Sequence, residues 1–218
     1  LTHFAEIARQ CGLDPLALVR GVGLPAKCLS DPDLKIDTQA VVRLLEMAAE
    51  QGREPAFGLR MGESRLLSNL GPLGLLLRDE PTLRHALDAI VRHIRVHNEA
   101  MVVRMEEVGD LVLIREDFAI DAATPRRQSV ELAMAVTHRL LSLFMGANWR
   151  PRLVCFAHGA PARRTVHHRV FGDQVEFNHE FNGLVCSRAD LNQPNPSADP
   201  VMARYAEELV SSKRSEER

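Results

Sequence analysis

The sequence predicts an α+β fold, in which an N-terminal helical part (1–100) packs on a mostly antiparallel sheet of about five strands (101–191) with the order β-β-α-β-α-β-β. Three observations carry this. Apolar residues recur at helical spacing through the first hundred positions. The period then drops to two in a pair of Val/Ile/Leu-rich runs, Met101 to Val108 and Leu111 to Phe118, split by the hairpin dipeptide Gly109-Asp110. A long apolar helical segment, about Arg126 to Met145, follows and reads as largely buried.

In chain order, Thr2 to Cys11 and Pro15 to Gly21 read as two short helices broken at Gly12-Leu13-Asp14. Asp37 caps Thr38 to Gln51, whose Val41, Val42, Leu45 and Ala49 share a face, and a further helix covers Pro55 to Met61. Leu66 to Leu77 is apolar and punctuated by glycine, which suits a loop followed by a helix. Thr82 caps Leu83 to Asn98, where Leu83, Leu87, Ile90, Val91 and Ile94 form one stripe. The segment from Arg126 to Met145 is apolar except for a narrow stripe of Arg127, Glu131, His138 and Ser142. Leu153 to Ala157 is a central strand opened by Pro151, Ala162 to Val170 a helix, and Gln174 to Phe177 with Leu184 to Ser187 a second strand pair. A Pro/Asn/Ser stretch, Asn192 to Pro200, separates this body from a last helix, Val201 to Ser211, which runs into the charged end Lys213 to Arg218 and reads as a connector.

Length and composition restrict the function classes. At 218 residues one sizeable core is expected, and 45% hydrophobic with 26% charged residues is ordinary globular composition. A net charge of −2 argues against a duplex-DNA surface, since phosphate binding rests on clustered excess Lys and Arg. No apolar run approaches the ~20 residues of a membrane span, and the start, Leu1-Thr2-His3-Phe4, lacks a signal-peptide pattern, so the expected location is cytoplasmic. Cys11, Cys28, Cys155 and Cys186 are too dispersed for a disulfide framework and are read as reduced.

Several local patterns suggest chemistry. Ile7 to Leu13 with Leu16 and Val19 has helix-turn-helix-like placement of small residues, but the second helix would offer Arg20 alone to DNA, so a packed helical pair is expected. His93 and His97 stand i, i+4 without a third ligand; His97 flanks the apolar stripe as a pocket-edge donor, while His93 turns toward solvent. His167-His168 are adjacent and read as surface residues. If Gly109-Asp110 is a two-residue turn, Arg104 and Arg115 fall opposite each other. Glu106 and Asp117 then neutralise them, or the two guanidinium groups hold a carboxylate ligand. The sequence lacks a G-x-S-x-G elbow, a P-loop, a G-x-G-x-x-G and an H-E-x-x-H, so no enzyme, metal or cofactor is expected.

Three ordered stretches carry a family resemblance. They are Leu70-Gly71-Pro72-Leu73-Gly74 continuing to Pro81 through Leu87; Trp149-Arg150-Pro151 through Phe156-Ala157-His158 to Pro161; and Phe171-Gly172 through Val175-Glu176-Phe177 and Asn182-Gly183-Leu184 to Leu191, Pro194 and Asp199-Pro200. Together they resemble the N-terminal effector-binding and dimerisation domain of bacterial AraC/XylS-type transcriptional regulators, in the arabinose-binding-domain branch with a helical start. The resemblance implies that residues 1–200 sense a small molecule and dimerise, and that 201–218 is a linker helix and tail leading to a helix-turn-helix domain not contained in this sequence. The effector is then expected to be a partly apolar or carboxylate-bearing metabolite, in a pocket of Leu73, Leu76 and Ile94 with His97, Arg104 and Arg115 as orienting groups. Two rival readings are a haem- or gas-sensor-like module, whose Tyr-x-Ser-x-Arg clamp is missing around Tyr205, and a dimerisation module with no ligand.

Overall fold

Residues 1–32 and 34–216 are described by the computed structural model, the side chains of 213–216 excepted, so the charged end Lys213 to Arg218 lies outside the described side chains. The helices are α1 (Phe4–Gln10), α2 (Pro15–Gly21), α3 (Thr38–Gln51), α4 (Phe57–Ser64), α5 (Pro72–Asp79), α6 (Leu83–His97), α7 (Arg127–Met145), α8 (Thr165–Phe171), α9 (Arg188–Leu191) and α10 (Pro200–Glu216). The strands are β1 (Met101–Val108), β2 (Leu111–Phe118), β3 (Leu153–Phe156), β4 (Val175–Phe177) and β5 (Gly183–Ser187). The α+β class and the mostly antiparallel five-stranded sheet agree with the sequence reading.

Local chemistry sets the helix starts. The Asp14 and Asp37 side chains accept from backbone N–H groups at the starts of α2 and α3, and Thr82 does so for α6. Gly71, at φ 58°, bends the chain into α5, and Gly74 lies so close to the Leu67 carbonyl that any Cβ would collide with it.

The sheet order is β1-β2-β5-β3-β4, antiparallel throughout except for the parallel β3–β4 pair. On the hairpin, Met101, Val103, Val112, Ile114 and Phe118 face inward under α6 and α7, and the alternate positions face out. The larger core joins this face to α5, α6, α7 and α10. A second core packs α1 to α4 through Phe4, Leu18, Leu44 and Phe57, so the two N-terminal helices form the packed pair expected. The two cores meet where α4 crosses α7. There the Gly58 N–H donates to Gln128 Oε1 at 2.8 Å, and a Cβ on residue 58 would strike the Gln128 backbone.

Three readings need correction. The stripe of α6 is rotated: Val91 is exposed, while His93 is buried beside Ile90 and Ile94. The cause is α10, which sequence periodicity could not position: it lies against α5 and α6, burying Ala206 and Val210, and Glu207 Oε1 sits 3.1 Å from His93 Nε2. His167 is fully buried rather than superficial, because α8 packs on α7. The stretch before α10 is also fastened to the body: the Asn195 side-chain amide donates to the Arg78 and Glu80 carbonyls at 2.9 Å, and its backbone N–H to Pro81 O at 2.8 Å.

Candidate functional site

The polar stripe read on the long helix is internal. A helix apolar on most sides is enclosed on most sides, so polar groups on it end up inside as well. Glu131 and His138 are 0% and 6% exposed. Glu131 Oε1 accepts from Arg127 Nε at 2.8 Å and lies 3.0 Å from His167 Nε2 and 3.5 Å from His158 Nε2, while its Oε2 has no partner among the described residues. Arg127 continues to the Pro55 carbonyl at 3.0 Å, and Glu46 of α3 accepts the Gln128 N–H at 2.7 Å. One carboxylate therefore joins α7, α8 and the turn after β3, and its arginine reaches the segment before α4. Burial lowers the pKa of His158, opposed by the Gly159 carbonyl and Glu131. Burial raises that of Glu46 against the Gln128 N–H and the Arg127 charge.

A second carboxyl sits on the inner face of the sheet. Glu116 of β2 is buried, shares the inward parity of Val112, Ile114 and Phe118, and among the described residues has no hydrogen bond of good geometry at either oxygen. Burial raises its pKa to about 7, with the nearby Thr137 hydroxyl of α7 acting the other way. Further along α7's polar stripe, His138 packs between Trp149 and Phe171 at ring distances of 5.9 and 5.5 Å. Burial, then the Arg150 charge, lowers its pKa to about 4.

The residues proposed from sequence do not gather at one point. Leu73, Leu76 and Ile94 are buried in the larger core. Arg104 and Arg115 are directly opposite in the ladder as anticipated, yet they lie on the outer face of the hairpin, away from those apolar residues. Arg115 pairs with Glu106 at 3.1 Å and covers the Phe181 ring at 4.7 Å, while Asp117 accepts its neighbour's N–H instead. His97 is at the exposed end of α6, where partial burial and then the positive charges of Arg65 and the amino terminus lower its pKa. Two shallow clefts, of about 200 and 270 Å3, lie on the N-terminal helices, one beside Leu13 and Met47 and one beside Gln10 and Arg60. Among the described residues no cluster of three or more His, Cys, Asp or Glu side chains is arranged to hold a metal ion.

Sequence reasoning assigns no role to Glu116, Glu131, His158 or His167. For Glu116 a signal is present, since strand alternation puts it with Val112, Ile114 and Phe118. For Glu131 it is the i, i+4 spacing from Arg127 on a helix with little solvent face. His167 carries none, because its burial depends on where α8 lands.

The chain is thus a helical layer over one face of a small mixed sheet, with ionisable groups enclosed between them and a final helix docked on the outside. Residues 12–195 match the family described as the arabinose-binding domain of AraC transcription regulators, N-terminal, and the chain belongs to that family. It is 27% identical over 97% of its length to the HTH-type transcriptional regulator VirS of Mycobacterium tuberculosis, and 21% identical over 93% to the ornithine utilization regulator of Pseudomonas aeruginosa. It spans 63% and 60% of those proteins, respectively. The transcriptional regulator CdpR of Pseudomonas aeruginosa shares the fold with a TM-score of 0.64 and 17% identity, over 90% of this chain and 63% of that one. None of the described helices is long and apolar enough to cross a membrane.

Proposed function

We propose that this domain senses a small molecule for a cytoplasmic bacterial regulator, works as a homodimer, and passes the signal through α10 to a separate helix-turn-helix domain that binds DNA. Residues 1–200 form the sensing body in this reading, and 201–218 the connection. The observation that carries it is Glu116: a buried carboxyl with the Thr137 hydroxyl nearby but no hydrogen bond of good geometry among the described residues, on the face where the sheet meets α6 and α7. A buried polar group left unsatisfied costs stability, of order 1–3 kcal/mol, and a site that binds a ligand is one reason for a fold to keep it.

The effector is a partly apolar molecule with a hydrogen-bond donor, seated between Leu73, Leu76 and Ile94 and the inner sheet face, with Glu116 as its orienting group. Arg104 and Arg115 are set aside as orienting groups because they face outward. Entry requires α5 and α6 to shift from the sheet. As α10 rests on both helices, a ligand that prefers the shifted arrangement moves α10 with them.

A thermal-shift screen of amino acids, fatty acids and amines tests this on the 218-residue chain. A ligand that raises the melting temperature of the parent and not that of Glu116→Gln is the expected result. A flat response across the panel would favour a ligand-free dimerisation module, and an equal response in both proteins would move the site away from Glu116.

A further inference from the structure

The hairpin leaves one edge of the sheet open, and that edge is self-complementary. The β1 strand is terminal in the sheet order and eight residues long. The Ala119 N–H donates to the Ala100 carbonyl, and the Glu116 N–H to the Asn182 carbonyl beyond β2, which fixes the ladder's phase: even-numbered residues of β1 bond to β2, and Val103, Met105 and Glu107 turn their backbone N–H and C=O groups outward. Among the described residues no hydrogen bond joins those outward groups to another element. Long open edges of this kind are templates for pairing with another strand.

We propose that β1 pairs antiparallel with β1 of a second copy of this chain about a two-fold axis at Met105, making one continuous ten-stranded sheet; this names a surface for the homodimer proposed above and rests on that reading. Charge and exposure select the register. Centred on Met105, the outer face sets Arg104 against the partner's Glu106 and Glu106 against the partner's Arg104. The same register sets Val102 against the partner's Val108, the latter 71% exposed here. Both charge pairs fall at the positions where the two strands approach without bonding each other and cross-strand side chains are closest. Centring on Arg104 or on Glu106 would set like charges opposite each other. On the inner face Glu107 meets the partner's Val103, and Glu107 is already neutralised by Arg84 and Arg188. Met105, Val103 and Glu107 supply the exchanged backbone bonds.

Sedimentation velocity on the 218-residue chain, together with mild oxidation of Met105→Cys, tests the surface. The expected results are a concentration-dependent dimer and a disulfide-linked dimer of Met105→Cys, since residue 105 faces its own copy at ~5.5 Å between Cα atoms. A Val185→Cys control on β5, inside the sheet, should give none. Arg104→Glu and Glu106→Arg should each weaken dimerisation tenfold or more. The double variant should restore it, because opposite charges again meet across the axis and the carboxylate introduced at position 104 also faces Arg115 across the hairpin. Met105→Pro removes an outward N–H without breaking the β1–β2 ladder and should yield monomer with an unchanged far-ultraviolet spectrum. A dimer that ignores the charge swaps and Met105→Pro and gives no link at residue 105 would overturn this surface while leaving the homodimer intact. A monomer at all concentrations would overturn both.

Discussion

Two buried carboxyls, one on α7 and one on the strand below it, receive opposite treatment. Glu131, on α7 itself, faces one guanidinium and two imidazoles around a single oxygen. Glu116, on β2 below that helix, faces Thr137 and apolar side chains, and its pKa is pushed up to about 7. The difference follows from what each strand or helix brings. The α7–α8 half supplies long nitrogen-bearing side chains that reach inward, whereas the hairpin half spends its arginines on the outer face. A carboxylate with several charged or ring donors fastens elements together, and one facing a lone hydroxyl holds its proton to higher pH. The first region is therefore tied by ionic contacts, and the second changes its charge near neutral pH.

The largest effect separates them directly. Glu131→Leu leaves buried His167 without its acceptor and Arg127 with the Pro55 carbonyl alone, and removing one member of a buried charge network costs about 3–5 kcal/mol. Glu131→Gln keeps an acceptor at the same place and should cost about 1 kcal/mol. Urea unfolding midpoints decide it: if Glu131→Leu is as stable as the parent, the donors around it are not what joins α7 to α8.

For Glu116 the sign reverses. Its folded pKa of about 7 lies above the ordinary 4.5, so the stability tied to its proton is present below pH 4.5 and lost as pH rises through 7. Once ionised it costs about 3 kcal/mol. Glu116→Gln removes that cost, so the variant should exceed the parent by up to about 3 kcal/mol near pH 8 and match it closely near pH 4. Equal stability of the two proteins at both pH values would mean that the carboxyl finds solvent or a partner in solution.

That contrast explains which parts are legible in the sequence. The hairpin is readable because Gly109-Asp110 and the alternation on either side fix a register, and Arg104 does oppose Arg115. Alternation also assigns Glu116 to the inner face, yet a charged residue amid Val112, Ile114 and Phe118 reads as an exception until the layer above is known. The α7 stripe is visible as well, but periodicity reports a face and not what covers it. His93 shows the same limit: local spacing turns it toward water, and α10, more than a hundred residues later, encloses it. The pocket is the least legible part, because its proposed lining residues are core residues whichever reading is right.

A smaller effect comes from His138, which shares Glu116's burial with the opposite charge. Its pKa of about 4 lies below the ordinary 6.5, so its contribution is fully present above pH 6.5 and lost as pH falls toward 4. Between pH 4.5 and 6.5 the two groups therefore pull stability in opposite directions and offset each other. His138→Phe keeps the ring contacts with Trp149 and Phe171 and removes the titration. Near pH 5 it should gain about 2 kcal/mol over the parent, shrinking toward neutral pH. Melting curves across pH 4.5–8 should then slope one way in His138→Phe and the other way in Glu116→Gln. Parallel slopes would show that the two sites do not differ as their surroundings imply.

The smallest effect is on the outer face, and it sharpens the contrast between the two sides of the hairpin. Arg115 and Glu106 pair at 3.1 Å with each side chain more than a third exposed, so water already screens the pair. Arg115→Met should change stability by less than about 1 kcal/mol, with relief of the Arg104 repulsion offsetting part of the lost pair. If the effector sits inside beside Glu116, its thermal-shift response in Arg115→Met equals that of the parent. A lost response with unchanged stability would instead put the ligand on the outer face, held by the paired guanidinium groups, and the buried carboxyl would then have to be explained by its proton alone.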